Sequence, residues 1–201
     1  MLPHLYSAIL DRLHTTIGTA ANLSATFPTA PPDLKPVQWL DYYNGQPENL
    51  RDRTPHDQYP ILLPAIFIEF GTINWDSYNR RMKGIVPIRI FIVQEIYTDS
   101  HAINGTPGLN QQATLNQLLL PELVQAVLHN WRPLANATLP PSGVGSLNAL
   151  QLSRSSNDGK HNNVRIDIDD YTLPVERTLP ELNTPTNTPM TILPTFDIEQ
   201  A

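Results

Sequence analysis

The sequence feature that most constrains the fold is a long apolar run, IVPIRIFIVQEI, at residues 85–96. In an extended chain, successive side chains point to opposite faces of the sheet. Both faces of this run are largely apolar: Val86, Ile88, Ile90 and Ile92 fall on one, and Pro87, Arg89, Phe91 and Val93 on the other. Such two-sided apolarity is typical of a buried strand, so the run predicts a strand at the centre of a sheet.

The N-terminal segment has the spacing of an amphipathic helix. Its apolar residues recur every four positions and so share one stripe: Leu5, Ile9, Leu13 and Ile17. Pro3 stands where a first-turn proline is tolerated, and Gly18 suits the position that follows a last helical turn. We therefore predict a helix over residues 2–17, whose apolar stripe needs another element to cover it.

Two segments flank the central run. PAIFIEF at residues 64–70 predicts a strand next to it, with the polar residues 72–84 as the loop between them. Residues 115–131 carry leucines at helical spacing and close on a tryptophan. Pro121 is expected to kink or restart this helix, and Pro133 to end it.

The last ordered segment predicts a pair of strands, residues 149–154 and 163–171. The second alternates apolar and charged residues with a period of two, which is typical of a half-buried strand. Asn157-Asp158-Gly159 supplies residues that tolerate a positive φ, so the turn is expected there.

This order of elements predicts an α+β fold, a small mixed or antiparallel sheet with helices packed on one face. The 201 residues suit one domain, which we place at 1–176. Twenty prolines, about twice the usual share, cluster outside the apolar runs. They mark a Pro-rich insert at 27–58 and an extended C-terminal arm at 177–201, in which Phe196 belongs to a small apolar island.

The insert contains a group of aromatic residues, Trp39, Tyr42 and Tyr43, followed by the turn signal Asn44-Gly45. Large aromatic side chains bury much area, which argues against a disordered loop. Two interpretations stay open. The loop folds back over its own domain, or it is an arm that docks on a neighbouring subunit.

Composition excludes several classes of function. The net charge of −6 opposes non-specific binding to nucleic acid, although a local basic patch remains compatible with it. The chain has no cysteine, which removes disulfides, thiolate zinc sites and cysteine nucleophiles. The N-terminus lacks the basic region of a signal peptide, and no apolar stretch approaches the roughly 20 residues of a membrane span. We expect a soluble intracellular protein that does not contact membranes.

Motifs that carry chemistry are missing from the sequence. It contains neither the phosphate-binding GxxxxGK[ST] and GxGxxG patterns nor GxSxG or HExxH. Asp167 and Asp169 share a strand face about 7 Å apart, a spacing that allows a cation site or an acid–base pair. Arg165 lies on the same face, and a solvated strand face or intersubunit salt bridges explain the pattern more simply. We expect no catalytic residue, cofactor or metal.

One basic cluster stands out, Arg80, Arg81 and Lys83, within residues 72–84. It is expected at a hairpin tip. Such a cluster is either a solvated turn or an electrostatic contact with an acidic partner or with DNA that passes nearby.

The ordered elements resemble the tail-terminator, or tail-completion, proteins of long-tailed bacteriophages, the family of the minor tail protein that caps the lambda tail tube. The likeness is carried by YSAILDRL, PAIFIEF, IVPIRIFIVQEI, LNQLLLPELVQAVLHNWRPL and RIDIDDYTLP. It covers the chain except the insert and the arm, and it is one of pattern and order rather than of a specific signature.

The resemblance implies a structural, non-enzymatic virion protein that is assembled in the host cytoplasm. Six copies would form a ring on the head-proximal end of the tail tube, contact the tube protein and the head–tail connector or stopper, and let DNA pass through the lumen without specific binding. The expected contact residues are Arg80, Arg81, Lys83, Trp39, Tyr42, Tyr43 and Phe196. Two alternatives remain: a connector, stopper or other neck ring protein, and a small cytosolic ligand-binding or hydrolytic domain.

Overall fold

The computed structural model describes residues 2–46, 61–78, 81–95, 116, 118–133, 144–146, 149–161 and 164–178. These residues contain three helices and seven strands, and the strands form one mixed sheet. This confirms the α+β class. The helices are α1 (Leu2–Ile17), α2 (Ala20–Thr26) and α3 (Leu120–Leu128). The strands are β1 (Trp39–Tyr42), β2 (Ala65–Phe70), β3 (Asn74–Tyr78), β4 (Arg81–Glu95), β5 (Val144–Ser146), β6 (Gln151–His161) and β7 (Val164–Thr178).

Two long strands form the centre of the sheet. β4 and β7 have 15 residues each and pair antiparallel along their whole length, from Arg81 opposite Thr178 to Glu95 opposite Val164. β2 pairs with one half of β4, and β3 pairs with the other half. Likewise, β6 pairs with one half of β7, and β5 pairs near its other end. β1 extends the edge by pairing parallel to β2. The predicted central strand is therefore confirmed.

All three helices contribute to a core on one face of the sheet, which we call the helix side. The α1 stripe is fully buried there, as its spacing predicts: Leu5, Ile9, Leu13 and Ile17. It packs with apolar side chains of α2, α3, β2, β4 and β7, among them Leu23, Val124, Ile68, Ile90 and Leu173. Each such side chain stabilises the fold by about 1.5–3 kcal/mol when it leaves water.

The opposite face, which we call the outer face, carries a second and smaller core at one end. It consists of Ala65, Phe67, Phe91, Val93, Val164 and Ile166. Trp39, Tyr43, Ile61 and Leu63 pack against it, and the Tyr43 ring stacks on Phe91 with centroids 4.4 Å apart. Trp39 and Tyr43 of the Pro-rich insert, with Ile61 and Leu63 just after it, thus supply the layer that covers β4 on this side.

The connection between the apolar runs 64–70 and 85–96 differs from the prediction. Residues 74–78 form β3 and β4 already begins at Arg81, where a polar loop was expected. Trp75 explains the strand, because its ring lies across Gly84, where an added Cβ would come within 2.9 Å of it. The alternation of Trp75 with polar neighbours was the signal in the sequence.

Two other boundaries also need correction. α3 begins with Pro121 in its first turn, as predicted. It ends at Leu128, earlier than the predicted end at Trp131. Asn130, two residues after the helix, adopts a positive φ of 61°. β6 continues to His161, so the expected turn at Asn157-Asp158-Gly159 is wrong. Those residues instead carry a shift in the pairing between β6 and β7.

Candidate interaction surface

The half of the outer face that lies beyond the second core is open to solvent. Along β4 its side chains are exposed at every outward position: Arg81, Lys83, Ile85, Pro87 and Arg89. We call these five residues the outer strip. Ile85 is 54% exposed, which is unusual for an isoleucine in a central strand. Two apolar residues flanked by cations form a surface that suits contact with another molecule.

Arg89 links three neighbouring strands at one end of the strip. Its Nε donates to Asp170 Oδ1 of β7 at 2.8 Å, and its Nη1 lies 3.5 Å from Glu69 Oε2 of β2. The strand register explains the arrangement, since Glu69, Arg89 and Asp170 stand directly opposite one another. The hydrogen bond to Asp170 raises the pKa of Arg89 above its usual value. Because the group is partly exposed, these ion pairs orient the guanidinium more than they stabilise the fold.

The cations of the strip lie outside their carboxylate partners. Arg81 is 70% exposed, whereas Glu176, 3.6 Å away on β7, is 19% exposed. Arg89 is 49% exposed against 28% for Asp170 and 34% for Glu69. Lys83 is exposed and stands in register between Asp76 and Glu176. An approaching partner therefore meets positive charge first, although the four acids beside the strip outnumber its three cations.

A shallow groove of about 300 Å³ lies on this face, beside Arg89. Its walls include Glu69, Gly71, Pro87, Asp170 and Thr172. Ser153 also lines it, in an irregular stretch of β6, and its hydroxyl donates to the Asp170 carbonyl at 2.8 Å. Among the residues the structure describes, no histidine lines the groove, and neither Asp167 nor Asp169 does.

The aromatic residues of the insert fall into two groups. Trp39 and Tyr43 are half-buried against the second core. Tyr42 is exposed on the other side of β1, where its ring centroid lies 6.0 Å from Tyr6 and 6.4 Å from Phe70. The arrangement leaves Tyr42 accessible to a partner, and a contact role for these three residues stays a prediction. Arg80 and Phe196 lie outside the described residues.

The expectation of a solvated strand face at Asp167 and Asp169 is wrong. Both carboxylates are buried on the helix side, because a period of two in β7 does not reveal which face α3 covers. Arg165 Nη2 lies 2.7 Å from Asp167 Oδ1, and Asn157 Nδ2 donates to the same oxygen at 2.8 Å. Asp169 Oδ1 accepts from Gln125 Nε2 at 3.1 Å and from the Ser155 hydroxyl.

Asp169 is the less satisfied of the two carboxylates. It is 1% exposed, and its Oδ2 has no hydrogen-bond partner among the residues the structure describes. Burial raises the pKa of Asp169, the bonds from Ser155 and Gln125 lower it, and the charges of Asp167 and Asp170 raise it further. The net result is a raised pKa, so the charged form destabilises the fold.

Asp169→Asn is expected to stabilise the protein at neutral pH by about 1–3 kcal/mol. The amide keeps an oxygen for Gln125 and Ser155 and removes the buried charge. Because the folded-state pKa is raised, the stabilising effect of protonation is complete below the unfolded carboxyl value of about 3.9 and is lost as the pH rises through the folded-state pKa. The advantage of the variant should therefore shrink toward about pH 4, as urea unfolding at several pH values would show.

Asp170→Asn is the matched control for this prediction. Its carboxylate lies on the outer face and is paired with Arg89, so its loss should cost about 1 kcal/mol or less. A lower stability of Asp169→Asn than of the native chain at pH 7 would contradict the assignment of Asp169 as a destabilising charge.

Nothing among the described residues forms a cluster of three or more histidine, aspartate or glutamate side chains suited to a metal ion. In the same part of the chain, no helix combines the length and apolarity that crossing a membrane requires. What the geometry defines is an α+β fold, one face of which exposes two apolar residues among three cations.

The chain matches no protein family model and no curated protein. Among solved structures it is similar to a chain titled "Virion of native gene transfer agent (GTA) particle", with a TM-score of 0.41 and 14% identity. The similarity spans 85% of this chain and 93% of that chain.

Proposed function

We propose that the chain is a structural protein of a phage-like virion and that it works by assembling with copies of itself. The observation that carries the proposal is the asymmetry of the sheet. One face is buried beneath all three helices, while half of the other presents the outer strip to solvent. An exposed face with apolar residues inside a frame of cations supports a role in binding another protein surface.

More narrowly, we infer a tail terminator, a ring of six copies at the head-proximal end of a tail tube. In support, the elements that carry the resemblance, α1, β2, β4, α3, β6 and β7, occur in the fold in that order, with α2, β1, β3 and β5 between them. A contact between two different surfaces of the same chain closes into a ring when the rotation between neighbours allows it. The lumen of such a ring would let DNA pass, and its two ends would meet the tube protein and the connector.

The edges of the sheet favour contacts through faces rather than through added strands. β1 has four residues and β3 has five, and each contains one aspartate, Asp41 and Asp76. β6 is longer, but its pairing with β7 shifts at two places. Short, charged or irregular edges discourage edge-to-edge pairing, so we assign the ring contact to side chains of the outer face.

The experiment that tests this function is polymerisation of the tail tube protein of the same virion in the presence of the purified chain. Shortened tubes that carry the chain at one end, seen by negative-stain microscopy with gold-labelled antibody, are the expected result. Binding to the connector protein without any effect on tube length would favour the neck-ring alternative. Tubes of unchanged length that carry no label would refute the terminator function.

A further inference from the structure

α3 lies over a carboxyl group that is poorly placed to carry a charge. Asp169 is 1% exposed, and Gln125 Nε2 reaches its Oδ1 from α3 at 3.1 Å. Its Oδ2 has no hydrogen-bond partner among the described residues, and neither has the buried hydroxyl of Tyr171, two positions along the same face of β7. An ionised Asp169 beneath α3 therefore lacks the water that normally solvates a charge.

The charges along β7 also favour the neutral form of Asp169. Asp167 lies two positions before it on the same face, with Arg165 Nη2 2.7 Å from its Oδ1. Asp170 follows on the outer face and is paired with Arg89. Both cations are thus paired with other carboxylates. Burial raises the pKa of Asp169 most, and these two negative charges raise it further.

The neighbouring strands place uncharged side chains opposite Asp169, namely Ile90 on β4 and Ser155 on β6. Burial also raises the pKa of the Tyr171 hydroxyl, which stays uncharged at neutral pH. Three further ionisable side chains on the surrounding elements are not buried: Glu122 of α3, Arg12 of α1 and Arg154 of β6. The buried contact between α3 and the sheet thus contains the unbalanced charge of Asp169.

His129 responds to pH in the opposite direction. It follows α3 directly, and its Nδ1 accepts the N–H of Leu152 at 3.2 Å, which requires a neutral ring. Protonation in acid breaks this bond and loosens the end of the helix. A weaker attachment of α3 at higher pH therefore cannot come from His129.

α3 is also an element that can leave the sheet separately. It has nine residues, and isolated helices shorter than about 12–15 residues are marginal in water. Its N-cap residue, Leu119, makes no side-chain capping bond, so the first turn lacks that stabilisation. The helix therefore depends on its packing and on the bond between Gln125 and Asp169.

We propose that α3 is a pH-sensitive cover, which lies on the sheet while Asp169 is protonated and opens more often once Asp169 is ionised. In the open state water reaches the carboxyl group, whose pKa then returns to about 3.9. Because burial raises the pKa of Asp169 in the closed state, the stabilisation of that state is complete below about pH 4 and is lost as the pH rises through the raised value. This device is separate from the proposed virion role and does not rest on it.

Native-state hydrogen exchange of the full-length chain tests the cover, because it measures the opening of individual elements. The reporters are amides bonded within α3, such as that of Leu123, which donates to the Leu119 carbonyl. Their protection factors should be lower than those of the α1 core, and Asp169→Asn should raise them. The ratio of variant to native protection in α3 should rise several-fold from pH 4 to pH 7. Asp170→Asn, on the outer face, is the matched control and should show no such rise.

Two results would overturn the cover. Equal protection of α3 and α1 in the native chain would show that the helix opens only when the whole fold unfolds. A ratio that stays constant between pH 4 and pH 7 would show that Asp169 does not control the opening. If Asp169→Asn does not fold, His129→Gln in the otherwise native chain removes the opposing group, and its α3 protection should then fall several-fold over the same range. Unchanged protection in that variant would overturn the proposal equally.

Discussion

Replacing Arg81 and Lys83 together by glutamate is expected to abolish self-assembly and to leave the monomer folded. The two cations are the outermost charges at one end of the outer strip. Their reversal places negative charge beside Glu176 and Asp76. A negatively charged partner surface, which would bind the native cations, would repel it. Like charges across an interface cost several kcal/mol, so the assembly constant should fall by about a hundredfold or more.

The melting temperature should fall only modestly in this variant. Loss of the exposed Arg81–Glu176 pair costs about 1 kcal/mol or less, and a glutamate at position 83 stands opposite Asp76 and Glu176 at a further cost of about the same size. Together these costs correspond to a shift of roughly 4–8 °C in a domain of this size. Lys35→Glu with Arg132→Glu is the matched control, since both side chains are exposed and change the net charge equally. They lie in segments that pack on the helix side. Equal assembly of the two double variants would show that the outer strip carries no contact.

Phe91→Ala should destabilise the protein by about 3–5 kcal/mol. Phe91 lies at the centre of the second core, with Tyr43 stacked on it, so the truncation leaves a cavity on the outer side of β4. A loss of this size is a large part of the usual 5–15 kcal/mol of total stability. Urea unfolding with a shifted midpoint and an unchanged slope would measure it.

Tyr42→Ala is the comparison for this truncation. It removes an aromatic ring from the same strand as Trp39, but the ring is exposed on the other side of β1, so the loss should be much smaller. If Phe91→Ala costs less than about 1 kcal/mol, the side chains of Trp39, Tyr43, Ile61 and Leu63 do not cover Phe91 in a packed core. The two-layer account of the outer face would then be wrong.

Periodicity predicted the parts of the fold in which one signal dominates. α1 follows from a repeat of four, and the centre of β4 follows from apolar residues on both faces. β3 was missed because most of its residues are polar, and its one anchor, Trp75, is held by the glycine opposite it. Local propensity does not contain that cross-strand contact. The sheet order, with β2 and β3 sharing one side of β4, also depends on contacts distant in sequence.

The candidate surface was only partly predictable. The basic cluster was visible in the sequence, but Arg89 was not singled out, since its importance depends on Glu69 and Asp170 standing opposite it in register. The buried position of Asp169 depends on α3, which approaches from 44 residues away in sequence through Gln125. Charge patterns along one strand indicate a face, and only the fold shows whether that face meets a helix or water.

Native mass spectrometry of the full-length chain, from dilute to concentrated solution and with and without the tail tube protein, tests the central claim most directly. The account predicts a closed ring of six copies that is lost when Arg81 and Lys83 are both replaced by glutamate. A monomer under every condition, including in the presence of the tube protein, would contradict it.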